Sequence, residues 1–319
     1  MLLDQLASVL LNTEFYVAIV RMTTPLLLAA MGSILAERAG VVTFSMEAMM
    51  LMGTIGGIIG SGVTNNVWMG VLLAMIFGMI IGLIYAVVAV SIGSHQIVTS
   101  VGLNLGALGL SAVLYALTFT RGGEIIQTVI KVPSLPFWKV PLLGDIPFLG
   151  PVFFNHLPMV YLGYLIVPLV WFILFKTTWG LKVRAVGEHP HAADTVGISV
   201  AKVRYAALLF AGALNGLSGA YISIGMLNSY MENMTAGRGF IAYTAIVFGK
   251  WQPINVALGT LLFGAADALQ LRVLALNIGI PYQFLVMFPY VVTMIALISV
   301  VGRASWPAAS GLPFKREEG

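Results

Sequence analysis

The sequence predicts an all-α, polytopic transmembrane bundle of about nine spans with a short helix outside the membrane, all in one domain over residues 1–319. Three observations carry that prediction. Mean hydropathy is +0.98, with 59% apolar and only 9% charged residues, whereas soluble domains are about a quarter charged. Apolar runs recur at about the 20 residues that a helical bilayer crossing needs. Basic residues collect between those runs.

Taken in order, the spans fall near 15–36, 41–61, 67–92, 97–120, 158–176, 206–226, 238–250, 253–271 and 283–302, an embedded core of 15–303. Backbone groups in lipid must be satisfied within the protein, which makes these runs helices. The third is long enough to tilt or break, and the seventh is short. The N-terminal MLLDQLASVLLNTEF carries Asp4 and Glu14 but no basic residue. It therefore lacks the positive region of a cleavable signal peptide, and the first span is expected to stay in the protein.

Orientation follows from the cation bias of cytoplasmic loops. Ten of the sixteen Lys and Arg fall on one side: Lys176, Lys182, Arg184, Lys202 and Arg204 in the loop 177–205 and at its edge, Arg303, Lys315 and Arg316 after the last span, and Arg38 and Lys250. That side is expected to be cytoplasmic, with the N-terminus outside and the C-terminus inside. The net charge of +4 contains no block of like charges, so it reads as membrane topology and not as a surface for a nucleic-acid polymer. The absence of cysteine excludes disulfides, thiol nucleophiles and Cys-bound metals.

The loop 121–157 is expected on the outer side. Pro133, Pro136, Pro141, Pro147 and Pro151 block a continuous helix there, while Phe137 and Trp138 suit a membrane interface. It reads as a cap on the outer leaflet, with docking of an outside partner as the alternative. Glycines four residues apart, at Gly53/Gly57, Gly56/Gly60, Gly78/Gly82, Gly102/Gly106 and Gly212/Gly216, are expected where helix backbones approach closely. A weak internal echo links residues 40–57 with 237–259.

Catalytic chemistry is hard to place. FGKW at 248–251 lacks both the first glycine and the hydroxyl of a phosphate-binding loop. No HExxH occurs, and His189 and His191, two apart, do not share a helix face. Buried ionisable groups are costly in a membrane, so Glu47, counted about 10 Å past Gly40 at 1.5 Å per residue, and Asp267 stand out. Interhelical hydrogen bonding is the plain reading of both, and lining a substrate path is the functional one. Asn104, Asn215 and Gln270 are uncharged candidates on the same logic, and Met46, Met49, Met50 and Met52 read as gap-filling side chains.

The polar stretch GEHPHAADTVGIS, 187–199, carries the sharper signal. Proline suits a first helical turn and glycine the position past the end, so Pro190–Val196 reads as an isolated helix of about two turns. So short a helix is unstable alone in water. Ala192 and Ala193 offer a close-contact face to a partner, with Glu188, His189, His191 and Asp194 as polar rim.

At HAADTVG, 191–197, the chain resembles the EAA-x3-G signature of ABC importer permeases, with His191 where the signature has glutamate. TPLLLAAMGSILAERAGVVTFSMEAMMLMG (24–53) and GRGFIAYTAIVFGKWQP (237–253) narrow the resemblance to the branched-chain amino acid, ribose and nucleoside importer permeases, most similar to the simple-sugar and nucleoside branch. Ser45 and Ala48 stand at usual glycine positions. The resemblance implies a bacterial inner-membrane transporter subunit, not an enzyme. Its partners would be a separate ATPase subunit that uses ATP and Mg, a second permease (a paralogue or an identical copy) and an extracytoplasmic binding lipoprotein. No cofactor would be bound by this chain. The segment Glu188, His189, Pro190, His191, Ala192, Ala193, Asp194 and Gly197 would be the coupling site, and Glu47, Asn104 and Asn215 are placed on the path by polarity. The alternative is an ion-coupled secondary transporter using Glu47 or Asp267, and a third reading is a non-transporting scaffold or channel.

Overall fold

The computed structural model describes residues 12–119, 132–275 and 306–314, with a few helical positions between 283 and 295. Helix α1, Thr13–Arg38, starts at Asn12, whose side chain accepts from the Glu14 amide. Then come α2, Met46–Thr64, and α3, Val67–Ser91, α-helical to Ala86 and finishing in a π turn. Helix α4 is Gln96–Phe119, and a cap follows. In the cap, a two-stranded antiparallel ladder pairs β1, Trp138–Lys139, with β2, Asn155–His156, and encloses the short α5, Leu149–Phe153. Beyond it lie α6, Pro158–Lys176, α7, Thr178–Glu188, and the six-residue α8, Pro190–Thr195. Helix α9 spans Val200–Leu227, ending in a π turn from Tyr221. The last two are α10, Arg238–Phe248, and α11, Pro253–Ala275.

Seven of these helices, α1, α2, α3, α4, α6, α9 and α11, are long and apolar enough to cross a membrane. Two of the nine expected spans are not among them. The one at 238–250 is the 11-residue α10, too short to cross alone, and the one at 283–302 lies largely outside the described residues. The third span does not break, because its π turn keeps the backbone bonded to Ile92. The second starts at Met46 and not near 41, because residues 40–45 turn before the helix begins.

The cap seats on one end of the bundle. Val132 and Leu135 donate their amides to Asn228 and Ile224 at the end of α9, Tyr161 donates its hydroxyl to Trp138, and the Arg21 guanidinium lies 5.3 Å from the Phe137 ring centre. The opposite end carries α7, α8 and the α10–α11 turn. Helices α1, α2, α3 and α9 pack as the core, and glycine decides how closely. A Cβ at Gly53 would fall 2.6 Å from the Gly216 Cα, one at Gly78 2.8 Å from the same atom, and one at Gly212 2.5 Å from the Gly78 carbonyl oxygen. Gly102 and Gly106 differ from the expectation, since a Cβ there would meet nothing within 4 Å.

Overpacking a close helix crossing costs about 1–3 kcal/mol or more. Gly216→Leu is therefore expected to lower the melting temperature of the detergent-solubilised protein sharply. Gly102→Ala, on the open face of α4, is expected to leave it unchanged. Equal melting temperatures for the two variants would contradict this packing.

Candidate functional site

Two regions bring the singled-out residues together. The first lies where the chain leaves α9 at Leu227 and does not become helical again until Arg238, which leaves the first amides of α10 without helical partners. Glu47, in the first turn of α2, supplies the acceptors. One carboxylate oxygen takes the Thr235 hydroxyl at 2.5 Å and the Gly237 amide at 2.9 Å, and the other takes the Gly239 amide at 2.7 Å. A carboxylate at a helix N-terminus is also favoured by the helix dipole. Gly239 is required there, because a Cβ would lie 2.6 Å from the Glu47 nitrogen.

Asn104 does the same for α2 from the neighbouring helix. The Ser45 side chain makes no capping bond, and Asn104 Oδ1 instead accepts from the Ala48 amide at 3.0 Å while its Nδ2 donates to the Phe44 carbonyl at 3.1 Å. Glu47 and Asn104 border a cavity of about 320 Å³ with Leu51, Leu108, Asn233 and Phe240. Asn215 is elsewhere. It is fully buried between α1 and α9, donating to Ser33 Oγ and the Ala211 carbonyl, both at 2.8 Å. Asp267 is partly buried on α11, within reach of the Arg238 charge. The depth inferred for Glu47 by counting from Gly40 does not hold, since residues 41–45 are not helical.

The second region is the end opposite the cap. Helix α8 starts at Pro190 as expected and is closed by Gly197 at φ +84°. The Ile198 amide reaches the Ala193 carbonyl at 3.0 Å and the Gly197 amide the Asp194 carbonyl at 2.9 Å, the paired bonds of a glycine-terminated helix. Glu188, His189, His191 and Ala192 are exposed, and Val196 is 74% exposed. Ala193 departs from the expected outer face: it is 3% exposed and seats the helix on the bundle. The outward face therefore centres on Ala192 and Val196, one helical turn apart.

Sequence reasoning missed the polar groups that hold this end. Glu37, wholly buried, accepts from the Thr43 amide at 2.6 Å, the Thr43 hydroxyl at 2.8 Å and the Trp251 indole at 3.4 Å. Arg38, read as a topology marker, donates to the Trp251 carbonyl at 3.0 Å, at the end of α10. Arg204, read the same way, is fully buried and donates to the Ala39 carbonyl at 3.1 Å and the Leu312 carbonyl at 3.2 Å. The available signal was the adjacent acid and base in ERAGVV, placed where an apolar run meets a glycine. The echoing segments 40–57 and 237–259 do meet in space: Phe44 lies 4.3 Å from Tyr243 between ring centres, and Glu47 binds the start of the second segment.

The family described as Branched-chain amino acid transport system / permease component matches residues 15–300. The chain belongs to that family. It is similar to the guanosine ABC transporter permease protein NupQ of Bacillus subtilis, 38% identical over 91% of this chain and 92% of that one. The nucleoside ABC transporter permease protein NupC of Lactococcus lactis subsp. cremoris is 34% identical over 92% of this chain and 93% of its own. The putative glucose ABC transporter permease protein TsgC13 of Haloferax volcanii is 37% identical over 82% and 78%. No solved structure matches the chain. As a multi-pass permease subunit of an ABC transporter, the protein is not itself an enzyme, and an ion-coupled transporter is not favoured.

Removing one partner from a buried hydrogen bond costs about 1–3 kcal/mol for each group left unpaired. Glu47→Ala orphans the Gly237 and Gly239 amides together, and Glu47→Gln keeps one acceptor oxygen. Melting temperature is expected to fall in the order wild type, Gln, Ala, with faster hydrogen exchange confined to residues 235–240. A Glu47→Ala protein as stable as wild type would sink the capping role.

Proposed function

We propose that this chain forms half of the translocation path of an ATP-driven importer for nucleosides, and that α8 is the helix on which the ATPase subunit acts. The observation that carries the substrate reading is the similarity, over more than nine-tenths of both chains, to two permeases named for guanosine and for nucleosides. The glucose-named relative shares less of its length. The geometry supports the coupling role of α8: a helix of six residues that is clamped at both ends offers Ala192 and Val196 to a partner without first having to be ordered. Glu188, His189, Pro190, His191 and Asp194 surround that face, and Gly197 closes it.

The path runs along the cavity bordered by Glu47 and Asn104, where Phe240, 44% exposed, offers a ring on which a nucleobase stacks. The packing of Asn215 between α1 and α9 supports a structural role for that residue. A second permease, paralogous or identical, packs on α4, whose open face presents Gly102, Gly106 and Gly109 with room for close approach. An extracytoplasmic binding lipoprotein delivers the solute over the cap, and ATP and Mg are bound by the ATPase subunit alone. About nine crossings place the N-terminus outside and the C-terminus inside, in the bacterial cytoplasmic membrane. Supporting this, Arg38, Lys176, Lys182, Arg184, Lys202 and Lys250 gather at the end that carries α8.

Cells carrying the gene are expected to take up labelled guanosine, and deletion to abolish that uptake. Excess unlabelled uridine should compete and glucose should not. Ala192→Trp is expected to cut uptake by about tenfold or more, of the order lost when one anchor of a protein interface is blocked, at an unchanged membrane level. Uptake that survives this substitution but collapses with an ionophore would favour ion coupling instead.

A further inference from the structure

Helix α8 buries only Ala193 among its own residues, so its position must be held by what surrounds it. Residues 306–314 supply that hold. They run across the base of the α7–α8 corner as a strap with contacts to five separate elements. The Ala309 amide donates to the Gly187 carbonyl at 2.9 Å and the Ala308 amide to Glu188 Oε2 at 3.3 Å, both at the end of α7. The Gly311 amide donates to the Gly40 carbonyl at 3.1 Å, tying the strap to the turn after α1. The Phe314 ring lies 5.0 Å from the His191 ring on α8, and Trp306 lies 5.0 Å from Trp251 at the α10–α11 turn.

Arg204 locks these together from inside the bundle. Its Nη1 holds the Leu312 carbonyl of the strap while its Nε holds the Ala39 carbonyl at the end of α1. A wholly buried guanidinium is costly unless its donors are used, and here Nε and Nη1 bind backbone carbonyls of two segments that are distant in sequence, while Nη2 stays buried without a partner among the described residues. Its planar fork, with donors pointing in divergent directions, reaches both at once in a fixed geometry that a lysine ammonium does not have. The close fit extends to Gly40, where a Cβ would meet the Ala309 carbonyl oxygen at 3.0 Å and Arg204 Nη2 at 3.2 Å.

We propose that the strap Trp306–Phe314, anchored by Arg204 as its positioning residue, fixes α8 to α1 and α9 so that a push on α8 moves the bundle. Without the strap, α8 swings on the His189–Pro190 corner. This inference rests on reading α8 as the ATPase contact. Rigidity at that corner converts a displacement of α8 into a displacement of α1 and α9, and slack there lets the ATPase cycle without moving them.

The test uses the full transporter with its ATPase subunit, in three forms: Arg204→Met, Arg204→Lys, and a chain ending after Ser305, which removes the strap but keeps Arg204. Hydrogen exchange at the Ala193, Gly197 and Ile198 amides is expected to quicken about tenfold or more in the first and third forms, as for a locally opened segment. It should quicken by less in Arg204→Lys. The amides of α2 and α9 should keep their protection, and the ATPase subunit should stay bound. In liposomes, ATP hydrolysed per labelled guanosine imported should rise with the exchange. Unchanged exchange in both the Met variant and the shortened chain would overturn the strap, whatever the transported solute. If Arg204→Met also loosens α9, the shortened chain decides alone. Ala192→Trp separates the two readings. Should it leave ATPase binding and coupling intact, the contact role of α8 fails while the exchange result still judges the strap. Should it uncouple while the strap variants do not, only the strap fails.

Discussion

A backbone amide or carbonyl left unpaired inside an apolar bundle costs more than any single packing contact returns. The structure is organised around that constraint at its helix ends. The chain turns at 39–45, at 228–237 and at 249–252, and each turn exposes polar backbone groups that the helices themselves cannot satisfy. Glu37 and Arg38 serve the first and third, with Glu37 bound to Thr43 and to Trp251, and Arg38 to the Trp251 carbonyl. Glu47 serves the second, and Asn104 the start of α2 itself. Charged residues that are expensive in lipid are retained because each satisfies several backbone or side-chain donors and acceptors at once.

Between these clasps the core closes by backbone approach. Gly53, Gly78, Gly212 and Gly216 bring α2, α3 and α9 close enough that no side chain fits between them. In a medium as apolar as the side chains, dispersion between closely packed backbones, and not hydrophobic expulsion, holds helices together. The outer helices differ. Helix α4 shows most of its length at the surface, with Val98, Leu105 and Leu117 each more than 60% exposed. The molecule therefore has a closely packed interior and an exposed apolar flank on α4.

The two sites share elements of this scaffold. Helix α1 ends in the clasp that also receives the strap, and α2 begins in the turn that Glu37 holds. The cavity edge at Glu47 thus lies a few residues along the chain from the corner that seats α8. Along the chain, Gly40, Thr43 and the first turn of α2 join that corner to the cavity edge. The cap end is tied to α9 by the backbone amides of Val132 and Leu135.

The sequence by itself determined the class of the molecule. Composition and run length required a helical membrane protein, and the proline and glycine that bound 190–197 placed α8 almost to the residue, because helix starts and stops are local chemistry. It also marked Glu47, Asn104 and the close glycine pairs as exceptional. What it left undecided was which groups those residues meet. Counting along a helix does not apply between Gly40 and Glu47, since the chain turns at 41–45, where a carboxylate at position 37 holds Thr43. Arg38 and Arg204 read as flags of sidedness, because charge near a loop is ordinary and only the folded chain brings carbonyls from residues 251, 39 and 312 against them. Ala192 and Ala193 are equivalent as letters, and only packing turned one outward and the other in. Tertiary structure alone decided these matters because each is a meeting of segments far apart in the chain, whose partners no local pattern encodes.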